Sequence, residues 1–85
     1  MDENRIESLI KWWRETDTQG VDIVKHLIDP LMEAFGEDVD VILAYLDKME
    51  VEVLREISGC FESIYRKFTT DHVNNALGEL EDKIA

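Results

Sequence analysis

Residues 50–68 read EVEVLREISGCFESIYRKF and show the clearest helical pattern in the chain. Apolar side chains recur there at every third or fourth position, which places them on one face of an α-helix. Cys60 lies beside this face, and Gly59 lies in the middle of the pattern, where a glycine costs about 1 kcal/mol in helix propensity. We predict one long helix over 50–68, the longest in the chain, in which Gly59 lets a neighbouring helix approach closely. The apolar face consists of Leu54, Ile57, Phe61, Ile64, Tyr65 and Phe68.

The same spacing predicts three further helices, over residues 3–16, 38–48 and 70–84. Asp38 and Thr70 stand at the start of two of them, where a side-chain oxygen accepts hydrogen bonds from the free N–H groups of the first turn. The breaks between helices fall at turn-forming residues, namely Asp17-Thr18-Gln19-Gly20 and Gly36.

Residues 21–35 keep the helical spacing, but a proline interrupts them. Asp29 before Pro30 is typical of a helix cap followed by the first helical position. A proline inside a helix instead removes a backbone hydrogen bond and bends the helix. The segment is therefore predicted to form either two short helices or one kinked helix.

These patterns predict an all-α fold of about five helices, arranged as a compact bundle or as a small solenoid-like stack. The chain of 85 residues has the length of a single domain, covering residues 1–85. A domain of this size buries roughly 60–65% of the surface that its unfolded chain exposes, so we expect a thin core. Apolar residues form 45% of the chain, which is a normal share for a globular protein.

The chain is strongly acidic, with 20 acidic and 9 basic side chains and a formal net charge of −11. This charge opposes binding to nucleic-acid phosphates, which normally recruit Lys and Arg, and to anionic membranes. It favours encounter with a basic protein, since a field of this sign raises association rates by about 10- to 1000-fold at low salt. Solubility alone is the competing explanation for the charge.

The residue inventory gives little support to catalysis or metal binding. His26 and His72 share no motif, and Cys60 has no histidine at a helical neighbour position. The acidic clusters lack the alternating ligands and the central glycine of a calcium loop. We therefore predict a protein that is not an enzyme and that binds no cofactor and no metal.

Three features of the sequence predict a cytoplasmic protein. Cys60 is the only cysteine, which suits a reducing compartment. The start of the chain, Met1-Asp2-Glu3-Asn4, is acidic and lacks the apolar segment of a signal peptide. No apolar run approaches the ~18 residues that a membrane span needs.

The candidate binding residues are carboxylates near two helix junctions, together with two aromatic side chains. Adjacent helical residues point about 100° apart, so Trp12 lies outside the core if Trp13 lies inside it. An exposed Trp12 is a candidate binding anchor, and Tyr45 is another. One alternative is that both tryptophans are buried between the first two helices. The other is that the carboxylates form an ordinary solvated surface that binds no partner. The predicted partner-binding residues are Trp12, Glu37, Asp38, Asp40, Tyr45, Asp47, Glu50 and Glu52.

Two stretches, Val39–Asp47 (VDVILAYLD) and Leu54–Phe68 (LREISGCFESIYRKF), resemble a known class of protein. They are similar to the short acidic all-helical immunity proteins that bacteria encode beside polymorphic toxins, including those of contact-dependent growth inhibition systems. The two stretches together contain 24 of the 85 residues. It implies a cytosolic protein that binds a toxin domain, often a basic nuclease, and blocks it, but it assigns no contact residues.

The leading hypothesis is therefore an immunity or antitoxin protein that neutralises a cationic toxin domain, in particular a nuclease, by stoichiometric binding. The alternative is an acidic DNA mimic or regulatory adaptor that binds a nucleic-acid-handling protein. That alternative predicts carboxylates spaced like duplex phosphates along one face.

Overall fold

The computed structural model describes all residues from Met1 to Ala85 and confirms the all-α prediction. It contains no strand and has six α-helices rather than about five, together with one π-helical segment. In chain order these are α1 (Glu3–Glu15), the π segment (Val24–Ile28), α2 (Asp29–Phe35), α3 (Val39–Asp47), α4 (Val51–Glu56), α5 (Cys60–Lys67) and α6 (Asp71–Ile84).

Side-chain caps fix where several helices begin. The Asp38 carboxylate accepts the backbone N–H groups of Asp40 at 3.1 Å and of Val41 at 3.3 Å, at the start of α3. The Thr70 hydroxyl accepts the N–H of Val73 at 3.2 Å, at the start of α6. Both predicted caps are thus confirmed, and each satisfies donors that have no partner inside the helix.

The proline segment forms one uninterrupted helical stretch rather than two helices. Ile28 (φ −65°, ψ −50°) and Asp29 (φ −62°, ψ −46°) both have helical backbone angles, so the predicted cap at Asp29 is wrong. The N–H of Asp29 bonds to the carbonyl of Val24, five residues earlier. Pro30 has no N–H to donate, and this wider π-helical turn lets the helix pass the proline without a break.

The prediction of a single helix over 50–68 is wrong, because the chain breaks into α4 and α5. Ile57 leaves the helical angles (φ −101°, ψ 12°), and tight turns follow, with the N–H of Cys60 bonded to the Ile57 carbonyl at 2.9 Å. The break coincides with the low helix propensity of Gly59. The expected close approach is present, since a Cβ on Gly59 would lie 3.4 Å from Ile28 Cδ1. The longest helix is instead α6, with 14 residues.

The core is a single cluster of 18 buried side chains, all of them apolar. Every helix contributes to it, with Ile6, Leu31, Ile42, Leu54, Ile64 and Leu80 as examples. Helix α1 packs against α2 and the π segment, whereas α3 and α4 pack against α6. Helices α1 and α3 are not among the closely packed pairs, which leaves an open cleft between them. No helix combines the length and the apolar composition needed to cross a membrane.

Candidate protein-binding surface

All twenty carboxylates of the chain are exposed, and the core contains no polar or charged side chain. Five of them pair with Lys or Arg within 4.0 Å, and one more lies against a histidine. The remaining carboxylates have no basic partner, so the surface keeps most of its negative charge unneutralised.

The α2–α3 junction, formed by Glu37, Asp38 and Asp40, holds three of the predicted binding residues. Their carboxylates are already engaged within the molecule. Glu37 Oε1 lies 2.8 Å from Lys67 Nζ, and Asp40 Oδ1 lies 3.3 Å from His72 Nε2. Asp38 caps α3. The junction is acidic, but its charges also tie α3 and its leading turn to α5 and α6.

The α3–α4 junction holds Asp47, Glu50 and Glu52. Lys83 Nζ lies 3.7 Å from the Asp47 carboxylate and donates to the Asp47 carbonyl oxygen at 2.6 Å. Glu50 and Glu52 are exposed and form no ion pair. Of the six predicted acidic residues, these two are therefore the ones free to meet an incoming cation.

Tyr45 and Glu50 come together in a groove of about 490 Å³ between α1 and the α3–α4 turn. Its apolar lining is formed by Ile10, Met49 and Val53 beside the Tyr45 ring. Its charged lining consists of Glu7, Glu15, Glu50, Lys11 and Arg14. The groove thus combines an apolar surface with an excess of carboxylates.

A second, smaller groove of about 240 Å³ lies on the other side of Tyr45. It is lined by Met1, Glu3, Val41, Ala44 and Lys48 as well as by Tyr45 itself. Val41 and Met1 are 46% and 42% exposed. We call Tyr45 and the two grooves that flank it the Tyr45 face.

Helix α3 is apolar on two sides, which explains the Tyr45 face. One side carries Ile42, Leu43 and Leu46 into the core. The other side carries Val41, Ala44 and Tyr45, with Val41 and Ala44 exposed and Tyr45 partly buried. The spacing of three and four residues places this second set on one face of the helix.

The phenol of Tyr45 lies in a partly buried, electronegative setting. Burial raises its pKa above the ordinary value of 10.0, and the nearby carboxylates of Glu7 and Glu3 raise the pKa further. The phenol therefore stays protonated at neutral pH and is able both to donate and to accept a hydrogen bond.

Trp12 is 41% exposed, so the alternative in which both tryptophans are buried is wrong. Trp13 is partly buried against the core. The Trp12 ring centroid lies 6.2 Å from that of Trp13 and 6.4 Å from the His26 ring. Trp12 does not line either groove of the Tyr45 face, so the structure does not bring it together with Tyr45 and Glu50.

Several residues of the Tyr45 face were absent from the sequence prediction, notably Glu7, Met49, Val53 and Val41. Of these, only Val41 has a sequence signal, namely the second apolar stripe of α3, in which Val41, Ala44 and Tyr45 repeat the helical spacing. Met49 and Val53 lie beyond the end of α3, so this stripe does not indicate them. Glu7 carries no such signal, because its place depends on how α1 lies beside α3.

The remaining chemically active groups are Cys60 and the acidic clusters. Cys60 is fully buried, and burial raises the pKa of its thiol to about 12. The thiol therefore stays protonated at neutral pH, and a protonated buried thiol is a poor nucleophile. No group of three or more His, Cys, Asp or Glu residues is arranged to hold a metal ion.

A scan against protein-family models found no match, and neither the curated proteins nor the solved structures contain a significant match to the chain.

Proposed function

We propose that this protein is an immunity protein, which binds a cationic toxin domain in a stoichiometric complex and neutralises it. The toxin domain we propose is a nuclease made by the same cell. The protein acts by binding and has no catalytic activity of its own. The observation that carries the proposal is the exposed, mostly unpaired excess of carboxylates on an all-α scaffold.

The mechanism follows from the charge that a nuclease needs. Its active site must be positive to hold phosphates, so a surface rich in carboxylates is complementary to it. Long-range attraction accelerates the encounter, and contacts made after docking set the dissociation rate. Once seated, the acidic protein excludes RNA or DNA both by its volume and by like-charge repulsion.

The test is co-expression with the product of the adjacent gene in the native genome. We expect that product, or its terminal domain, to stop growth when expressed alone and to be harmless when this protein is present. The purified pair should form a complex of fixed stoichiometry in which nuclease activity is lost.

Two results would contradict the proposal. The first is a neighbouring product that remains toxic although this protein is folded and abundant. The second is tight binding of this protein to a DNA-binding repressor or repair enzyme at the DNA-contacting surface, since that would favour the DNA-mimic alternative.

A further inference from the structure

We propose that the partner docks on the Tyr45 face, and that the larger groove receives an arginine or lysine side chain of the partner. The aliphatic stem of that side chain lies along Met49 and Val53, and its charged end lies among Glu7, Glu15 and Glu50. The inference rests on the proposed function for the nature of the partner, and it names the surface and the chemistry of the contact.

The first argument is the exposed apolar side of α3. A thin core leaves few apolar residues to spare, yet Val41 and Ala44 are exposed on this side of α3, and Tyr45 beside them is only partly buried against the core. Helix α1 lies across the cleft without packing closely on α3. An apolar surface rimmed by charged residues is typical of a protein-binding site.

The second argument is the charge of the rim. Glu7, Glu15 and Glu50 form no ion pair with Lys or Arg, in contrast to Glu37 and Asp47 at the two junctions. An incoming cation can therefore pair with these carboxylates without first breaking an existing ion pair.

Two basic residues also line the larger groove. Arg14 is held by Glu56, with Arg14 Nε 3.2 Å from Glu56 Oε2. Lys11 is exposed and forms no ion pair, although it lies one turn from both Glu7 and Glu15. The groove therefore contains three unpaired carboxylates and one unpaired lysine, and this excess of negative charge favours binding of a cation.

The third argument is the match between the groove and a long basic side chain. Lys and Arg bury their aliphatic stems while keeping the charged end in a polar setting. Met49 is flexible and polarizable, so it adapts to such a stem. The neutral Tyr45 ring offers a face for a guanidinium or ammonium group, and its hydroxyl accepts a hydrogen bond from it.

The groove can be tested without the partner by NMR titration with n-butylguanidinium, which has both a stem and a charge. We expect saturable shifts of the backbone amides of Ile10, Met49 and Val53. Guanidinium, which lacks the stem, and n-butanol, which lacks the charge, should bind several-fold more weakly. Replacing Glu7 and Glu50 by Gln should weaken butylguanidinium binding several-fold.

The matched control is Glu79→Gln with Asp82→Asn on α6, since it removes the same charge outside both grooves and should leave binding unchanged. Shifts spread evenly over the acidic surface, or equal effects of the two double variants, would overturn the proposal. So would a dimer in solution that buries the Tyr45 face, because a second copy of the chain would then be its occupant.

With the toxin domain, the variants are Glu7→Lys with Glu50→Lys, and Glu79→Lys with Asp82→Lys as control. Both raise the net charge from −11 by four units to −7, so they weaken long-range attraction alike. We expect only the groove variant to dissociate faster, on the order of ten-fold or more. Equal dissociation rates would overturn the docking site while leaving the proposed function intact. If the wild-type protein binds no toxin, the proposed function fails, and the titration still decides the groove.

Discussion

Lys67 Nζ lies 2.8 Å from Glu37 Oε1, joining the end of α5 to the turn before α3 across thirty positions of sequence. The Glu37 side chain is 83% exposed, so water and salt compete with this pair. We expect Glu37→Gln to lower the free energy of unfolding by at most about 1 kcal/mol, measured by urea denaturation. A loss well above that would show that the pair organises the junction more strongly than its exposure indicates.

Asp38 contributes to stability through its cap rather than through its charge. We expect Asp38→Ala to lower the free energy of unfolding by about 0.5–2 kcal/mol, because two N–H groups of α3 lose their acceptor. Asp38→Asn keeps an oxygen acceptor and should cost much less. If the two variants were equally unstable, the loss would come from the missing charge, contrary to this interpretation.

Gly78 lowers the helix propensity in the middle of α6, and no packing contact in the structure requires a glycine there. A Cβ built there meets no atom within 4 Å, and the backbone needs no positive φ. We expect Gly78→Ala to raise the free energy of unfolding by about 0.5–1 kcal/mol, seen as a higher melting temperature. Gly36→Ala is the opposite control, since Gly36 has φ +81° and alanine is strained there. A destabilised Gly78→Ala variant would contradict the open space seen beside this residue.

The buried thiol of Cys60 should make stability depend on alkaline pH. Its pKa is raised from 9.0 to about 12, so the unfolded chain loses this proton before the folded protein does. Stability is therefore full below the ordinary thiol pKa and falls as the pH rises from about 9 towards 12, by about 1.4 kcal/mol per pH unit at the steepest.

Denaturation of the wild-type protein and of Cys60→Ala between about pH 8 and pH 10.5 isolates this contribution. The alanine variant should be less stable at the lower pH because of its cavity, and its stability should decline less with pH. Parallel curves would show that Cys60 does not contribute. Fast alkylation of native Cys60 at neutral pH would equally contradict its burial.

The helical fold was predictable because its main signals are local. The apolar spacing and the oxygen caps at Asp38 and Thr70 act within one or two helical turns. They therefore promote a helix regardless of how the segment packs against the rest of the chain. Four of the six helices begin within about a residue of their predicted starts, which is the normal uncertainty of a helix end.

The two errors arose where packing or backbone chemistry decides the local structure. The apolar stripe of residues 50–68 stays in the core on both sides of Gly59, so the pattern gives no sign of the break. At Pro30, the spacing could not distinguish a break from the π-helical turn that carries the helix past the ring.

The candidate surface was only partly predictable. Tyr45 and Glu50 were selected from amphipathic character and charge, and the structure brings them to one groove. The engagement of Glu37 with Lys67 and of Asp47 with Lys83 depends on how distant helices pack. Sequence spacing holds no information on such contacts, so it could not separate engaged carboxylates from free ones.

The most direct test of the central claim is the rate of association with the proposed cationic toxin domain, measured by stopped flow at rising ionic strength. If exposed carboxylates guide the encounter, the rate constant should fall about ten-fold or more between ~0.02 M and ~0.5 M NaCl, because salt screens attraction beyond the Debye length. A rate constant that stays unchanged over this range would contradict the account, since the complex would then form without help from the acidic surface.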